Sequence, residues 1–167
     1  VFGKKPIFER LDQLFYIYGK DLFEKKILEK IFDAFSFSDA FTYANNSYTD
    51  DRDDFFSYEE KEMLKSYKDD ADTYCTGKTL QVIERDLTIE DKTYSAAFVM
   101  AEQYIAELFD ALQNKYPEKD IYIVCTFNGI SFRTRKDGID VSLIAKRIGG
   151  GGHVQASGAP VTKDIKI

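Results

Sequence analysis

The chain has 167 residues, 44% of them hydrophobic, and a formal net charge of −6. That length and apolar content bury one good core, while the acidic balance argues against a long nucleic-acid track, because neutralising many phosphates takes a broad basic surface. No apolar run approaches the ~20 residues of a membrane span and no signal peptide is visible, so a cytoplasmic protein without a membrane partner is expected, with Cys75 and Cys125 outside any ligand spacing and reduced.

Pro6 opens an amphipathic stretch with Phe8, Leu11, Phe15 and Tyr18 in register. Gly19 interrupts it, and Asp21 with Glu24 offers a capping box for a second helix reaching about Phe35. Residues 36–56 read as a polar connector; its Asp50, Asp51, Asp53 and Asp54 lack the ordered spacing of a calcium loop and suit a solvated acidic segment. Ser57 and Glu60 then cap a helix carrying Leu64, Tyr67 and Ala71, expected to run beyond Cys75 toward Arg85. Within it Gly77-Lys78-Thr79 mimics the end of a Walker motif, yet Asp72 stands where the first glycine belongs and the preceding segment is helical rather than extended.

The second half alternates strand and helix. Tyr94 to Met100 reads as a buried strand, and Ala101, Tyr104, Ile105, Leu108, Phe109 and Leu112 make a helical core stripe. The runs 121–127 and 130–135 flank Asn128-Gly129, the signal of a type I′ hairpin. Its register places Ile123, Cys125, Phe127, Ile130 and Phe132 on a core face and Thr126, Ser131, Arg133 and Arg135 on a cationic one. Asp140 suits the cap of a short helix with Val141, Ile144, Ala145 and Ile148 on one face, closed by cationic Lys146 and Arg147. A last strand is expected near Ala159 to Thr162. The fold class is therefore α/β: a small mixed sheet covered by helices, after a helical connector.

The run Gly149-Gly150-Gly151-Gly152 directly before His153, the chain's single histidine, carries the functional signal. Four glycines weaken a fold unless something approaches the main chain closely; freed N–H groups there form a nest for an anion, with His153 beside it. A flexible surface loop with a solvated histidine fits the run equally well when taken alone. The run follows a helix, whereas P-loop and dinucleotide turns open one, so it is neither of those. Between Arg133 and His153, five basic residues (Arg133, Arg135, Lys136, Lys146, Arg147) face only Asp137 and Asp140, a local positive patch on an acidic body that suits a short anionic ligand.

Ile130-Ser-Phe-Arg-Thr-Arg135, Asp140-Val-Ser-Leu-Ile-Ala145 and Gly149-Gly-Gly-Gly-His-Val-Gln-Ala-Ser-Gly158, in that order, resemble the C-terminal DHHA1 substrate-binding domain of the DHH phosphoesterase superfamily. Its members include nanoRNase (oligoribonuclease) phosphodiesterases, cyclic-dinucleotide phosphodiesterases and RecJ-type exonucleases; a related module closes alanyl-tRNA synthetases. The run Leu11 to Glu24 is similar, more weakly, to the nanoRNase B and cyclic-nucleotide phosphodiesterase branch. The resemblance implies a domain plan of 1–56 as helical tail of a catalytic domain plus connector and 57–167 as the substrate-binding domain. It implies that Arg133, Gly150, Gly151, Gly152, His153 and Ser157 bind substrate phosphate, although a local turn role suits Ser157 and Gln155 as well. Thr134 replaces the serine frequent after that arginine. The family's catalytic domain supplies Asp and His ligands to a metal pair, typically Mn2+, and a two-metal site needs such a cluster. With one histidine and no Asp-His-His motif, the chain is expected to hold no catalytic residue and no metal; its start at Val1 adds the expectation of a fragment whose DHH domain lies elsewhere in cis. The implied partner is a short oligoribonucleotide or related nucleotide. The other reading is a module without chemistry of its own, sensing a cyclic dinucleotide or contacting RNA as the synthetase tail does.

Overall fold

Pro6 fixes φ for a first helical turn and opens α1 (Pro6–Phe23), which Gly19 interrupts with φ 70°, ψ 170° before winding resumes into a π-helical turn, Glu24–Leu28. The computed structural model describes residues 6–28, 30, 56–89 and 91–161; the expected connector up to residue 55, its four aspartates and the end of the second helix lie outside them. The chain divides into two units, Val1–Asp69 and Asp70–Ile167. In the first, Leu11, Leu14 and Ile27 are buried with Phe56 and Leu64. The buried stripe thus follows Leu11–Leu14 rather than Leu11–Phe15, and Phe15 lies exposed with its ring edge-on to Phe23. α2 (Tyr58–Thr79) begins with the expected capping box: Glu60 N–H donates to Ser57 Oγ at 3.2 Å and Ser57 N–H to Glu60 Oε2 at 2.8 Å. The Glu60 carboxylate also accepts from Lys30 Nζ at 2.8 Å.

In the second unit α2 stops at Thr79, with Gly77-Lys78-Thr79 in its last turn, instead of running toward Arg85. A strand that the sequence reading missed, β1 (Ile83–Ile89), follows, pairing antiparallel with β2 (Lys92–Met100). Its alternation of Ile83, Arg85, Leu87 and Ile89 with Glu84, Asp86 and Thr88 has period two, but the helical pattern before it masked that signal. The expected helix is α3 (Ile105–Lys115). Ala101 and Tyr104 precede it as buried and left-handed residues, Tyr104 at φ 52°. Then come β3 (Ile121–Cys125), β4 (Gly129–Arg133), α4 (Val141–Arg147), β5 (Gly151–Gly152) and β6 (Ala156–Pro160). The last strand therefore begins earlier than expected, because the glycines fold back to form β5. The sheet order is β1-β2-β3-β4-β6-β5, parallel only between β2 and β3.

Period-two alternation divides β2 and β3 between two cores. Ala97, Val99, Tyr122 and Val124 join Leu108, Phe109 and Leu112 of α3 and Cys75 of α2. Ala96, Ile121 and Ile123 join Phe132, Ile139 and α4's Val141 and Ala145. The face expected to be cationic is thus covered by α3 over β3, and the charge survives only at its margin. Ile148, expected on the core face of α4, is exposed because the helix has already ended there. Where their pairing begins, β2 and β3 are joined by a polar clasp: Asp120 Oδ2 accepts from Ser95 N–H at 2.7 Å and Oγ at 3.0 Å, while Asp120 N–H donates to Ser95 O.

The hairpin forms, but not as a type I′ turn. Neither Asn128 nor Gly129 has positive φ, and the strands pair Cys125 with Ile130, not Phe127. Thr126 N–H donates to Gly129 O at 2.7 Å, and Thr126 Oγ1 accepts from Gly129 N–H, so the loop is Phe127-Asn128. Phe127, expected in the core, is 94% exposed at its tip, and Cys125 is only half-buried. Gly129 serves strand packing: a Cβ there would stand 2.8 Å from Ala159 O.

Candidate functional site

The expected cap of α4 is present, Asp140 Oδ1 accepting from Ser142 N–H at 2.9 Å. The Ser142 side chain, and then that backbone N–H bond, hold the Asp140 carboxyl below its ordinary range. At the other end the helix closes in a Schellman motif: Gly150 N–H reaches Ala145 O, Gly149 N–H reaches Lys146 O, and Gly149 is left-handed at φ 82°.

The glycine run resolves into separate requirements. Gly149 supplies the left-handed cap. At Gly150 a Cβ would run into Gly158 O and stand 2.6 Å from Ala159 Cα. Gly152 has φ 141°, with Ser157 Cα 2.6 Å from where its Cβ would be. Gly151 has ordinary φ and nothing within 4 Å of a Cβ position, so nothing among the described residues demands a glycine there. The amides are also committed. Those of Gly149, Gly150 and His153 donate within the chain. His153 and Ala156 exchange both bonds, so antiparallel alternation turns Gly151 toward Gly158 and the Gly152 amide outward. A nest of several free amides is therefore absent from the run, and backbone capture of an anion narrows to Gly152.

Side chains make the site instead. Arg133 pairs with Ala156 across β4 and β6, and Ala156 pairs with His153. Arg133 and His153 thus share one row and one face, two strands and about 10 Å apart. The next row on that face is Ser131, Gly158 and Gly151. This floor of small residues is half-buried while Arg133 and His153 are exposed, making an open shelf between a guanidinium and an imidazole. Among the described residues no hydrogen bond or ion pair holds either side chain.

The other basic residues of the patch are engaged. Lys136 Nζ meets Asp120 Oδ1 at 2.6 Å, and Arg135 lies 3.8 Å from Asp110 and donates to Asn114. Lys146 and Arg147 occupy the last turn of α4, where cations suit the helix dipole. Ser157 lies on the opposite face, donating to Val141 O at 2.6 Å. With Val141 N–H bonded to Val154 O, it ties α4 to the β5–β6 turn, the local role of the two that the sequence left open. Thr134 is buried, donating from Oγ1 to Asp120 O at 2.7 Å; a serine hydroxyl makes the same bond. The residue the sequence reading assigned only to the core is Phe109, whose ring lies under the Arg133 guanidinium, 5.0 Å from centroid to Cζ. No pattern along the chain signals that pair, because it depends on which strand α3 crosses.

Burial pushes the Cys75 thiol up to about 11, leaving it protonated and unreactive. Among the described residues no three His, Cys, Asp or Glu side chains are placed to hold a metal ion, and no helix is long and apolar enough to cross a membrane.

Residues 91–167 match the DHHA1 domain. The chain is 30% identical over 159 residues to oligoribonuclease NrnB of Bacillus subtilis (strain 168), matching 94% of this chain and 35% of that protein; it spans about a third of its curated relative. A solved DHH domain from a member of the s1p family of ribosomal proteins superposes with a TM-score of 0.53 at 12% identity, over 90% of this chain and 37% of that one. That likeness is one of fold. The similarity to the oligoribonuclease extends over both units of the chain.

Proposed function

We propose that the chain is the substrate-binding part of a metal-dependent phosphodiesterase that hydrolyses short oligoribonucleotides or related nucleotides. The open shelf between Arg133 and His153 carries this reading, in a chain that shares 30% identity with an oligoribonuclease. In it Arg133 takes a phosphate with paired in-plane N–H donors. His153 holds a second polar group of the same ligand about 10 Å away. The floor at Gly151 and Gly158 leaves room for a flat group between them. Binding at this distance from the reacting bond orients the substrate and converts affinity into rate.

The described residues do not fit a metal pair, so in this reading the Mn2+ ions and their ligands belong to a DHH domain in cis, and hydrolysis happens there. The whole protein works in the cytoplasm, which suits the unpaired thiols of Cys75 and Cys125.

Titration of the 167-residue chain with a 5′-phosphorylated diribonucleotide tests the reading. Saturable binding in the micromolar to millimolar range is expected, roughly −8 to −4 kcal/mol. Equal affinity for the unphosphorylated dinucleotide overturns it. Turnover of a panel of linear, cyclic and 3′-phosphorylated nucleotides by the full-length protein with Mn2+ then identifies the substrate.

A further inference from the structure

Three basic residues sit within four positions at the end of β4, and their partners differ. Arg135 meets Asp110 and Asn114 of α3, and Lys136 meets Asp120. Arg133 meets a ring instead: Phe109, 1% exposed in the core beneath it. The distinction is chemical. A carboxylate occupies guanidinium N–H donors, whereas an aromatic face attracts the cation through its π system and leaves every donor in the guanidinium plane free.

A buried ring does not move with the solvent. It lies against the guanidinium from the α3 side, 5.0 Å from ring centroid to Cζ. We propose that Phe109 is a positioning residue for Arg133, holding the guanidinium stacked so that its donor edge is presented to a ligand phosphate. This rests on the phosphate-binding role of Arg133 proposed above. α3 then has two functions, one in the core through Leu108 and Leu112 and one at the site through the ring between them.

The test measures affinity of the 167-residue chain for a diribonucleotide with and without a 5′-phosphate, in wild type, Phe109→Leu, Phe109→Met, Phe109→Tyr, Arg133→Ala and the Phe109→Leu/Arg133→Ala double variant. All are compared well below their melting temperatures. Phe109→Leu and Phe109→Met are expected to weaken the phosphorylated ligand roughly two- to fivefold, the range of an exposed cation–π contact, and to leave the unphosphorylated one unchanged. Phe109→Tyr, which keeps the ring, should retain wild-type preference. In the Arg133→Ala background, Phe109→Leu should cost nothing more. A ring with only a packing role would change both ligands alike. If Phe109→Leu and Phe109→Met keep the full phosphate preference while Arg133→Ala loses it, the positioning role is wrong and the phosphate role of Arg133 stands. Should Arg133→Ala itself keep the preference, both fail. If Phe109→Leu does not fold, Phe109→Met decides.

Discussion

Gly149 and Gly151 are two positions apart and make opposite predictions. Alanine at Gly149 must adopt φ 82°, which costs about 1–2 kcal/mol for an L-residue, so Gly149→Ala should lower the melting temperature. Alanine at Gly151 meets open space at ordinary φ and restricts the unfolded chain, so it should leave stability unchanged or raise it by up to ~1 kcal/mol. If a ligand lies on the floor, that neutral variant should nevertheless bind phosphorylated dinucleotide more weakly. Thermal melts paired with titration check both. For the proposed ligand contacts, Arg133→Ala and His153→Ala should fold within ~0.5 kcal/mol of wild type. Each should cut kcat/KM of the full-length enzyme roughly ten- to a hundredfold, as the loss of a charge-assisted bond worth about 1.5–3 kcal/mol. A strong fall in melting temperature with intact turnover for His153→Ala would make it a packing residue. Arg133 and His153 stand out in the sequence because their neighbours are distinctive, whereas their place on one face comes only from the strand pairing. The separate duties of the four glycines were not, since each is set by the backbone that happens to pass over it.

At the scale of elements, what depends on a few adjacent residues was legible: the Ser57–Glu60 box, the Asp140 cap and the glycine stop of α4. What depends on an opposing strand was not. Asn128-Gly129 carries the composition of a tight turn, but the Thr126 hydroxyl draws the loop one residue earlier and β6 claims the glycine. Similarly, polar residues alternating along β4 suggested a solvated face that α3 in fact shares. Capping allows a direct check: Ser57→Ala should cost about 0.5–2 kcal/mol by removing the acceptor for Glu60 N–H. A second check concerns acid. The Lys136 ammonium, and then the bonds from Ser95, hold the Asp120 carboxyl below its ordinary range. Its folded value lies below the unfolded one, about 3.9, so its stabilisation is complete above that pH and disappears as pH falls through the folded value. Asp120→Asn should therefore be less stable by about 1–2 kcal/mol at neutral pH. The gap in melting temperature from wild type should close toward pH 3.

For the molecule as a whole, the class of fold followed from alternating periodicities, and the family from three short motifs in order. The six-strand sheet order did not, because the helical pattern before β1 masked its alternation and β5 is only two residues long. The expected behaviour of the isolated chain is binding without turnover. Dinucleotide incubated with it and Mn2+ should remain intact by chromatography; chelator-sensitive hydrolysis lost with His153→Ala would contradict this.

The two-sided burial of β2 and β3 has a consequence for how the chain finds its fold. Strands with one wet face are aligned by their own pattern, since a slip by one residue exposes every apolar group. Here Ala96 and Ala97 are both buried, as are Ile121, Tyr122, Ile123 and Val124, so a slipped pairing would still hide its side chains and hydrophobicity alone would scarcely reject it. The Ser95–Asp120 clasp is an alignment key. Its hydrogen bonds close only when Ala96 stands opposite Ile121, and any other alignment leaves a carboxylate at the edge of an apolar layer. Its loss should appear less in the finished protein than on the way to it, as slower refolding with kinetics of more than one phase.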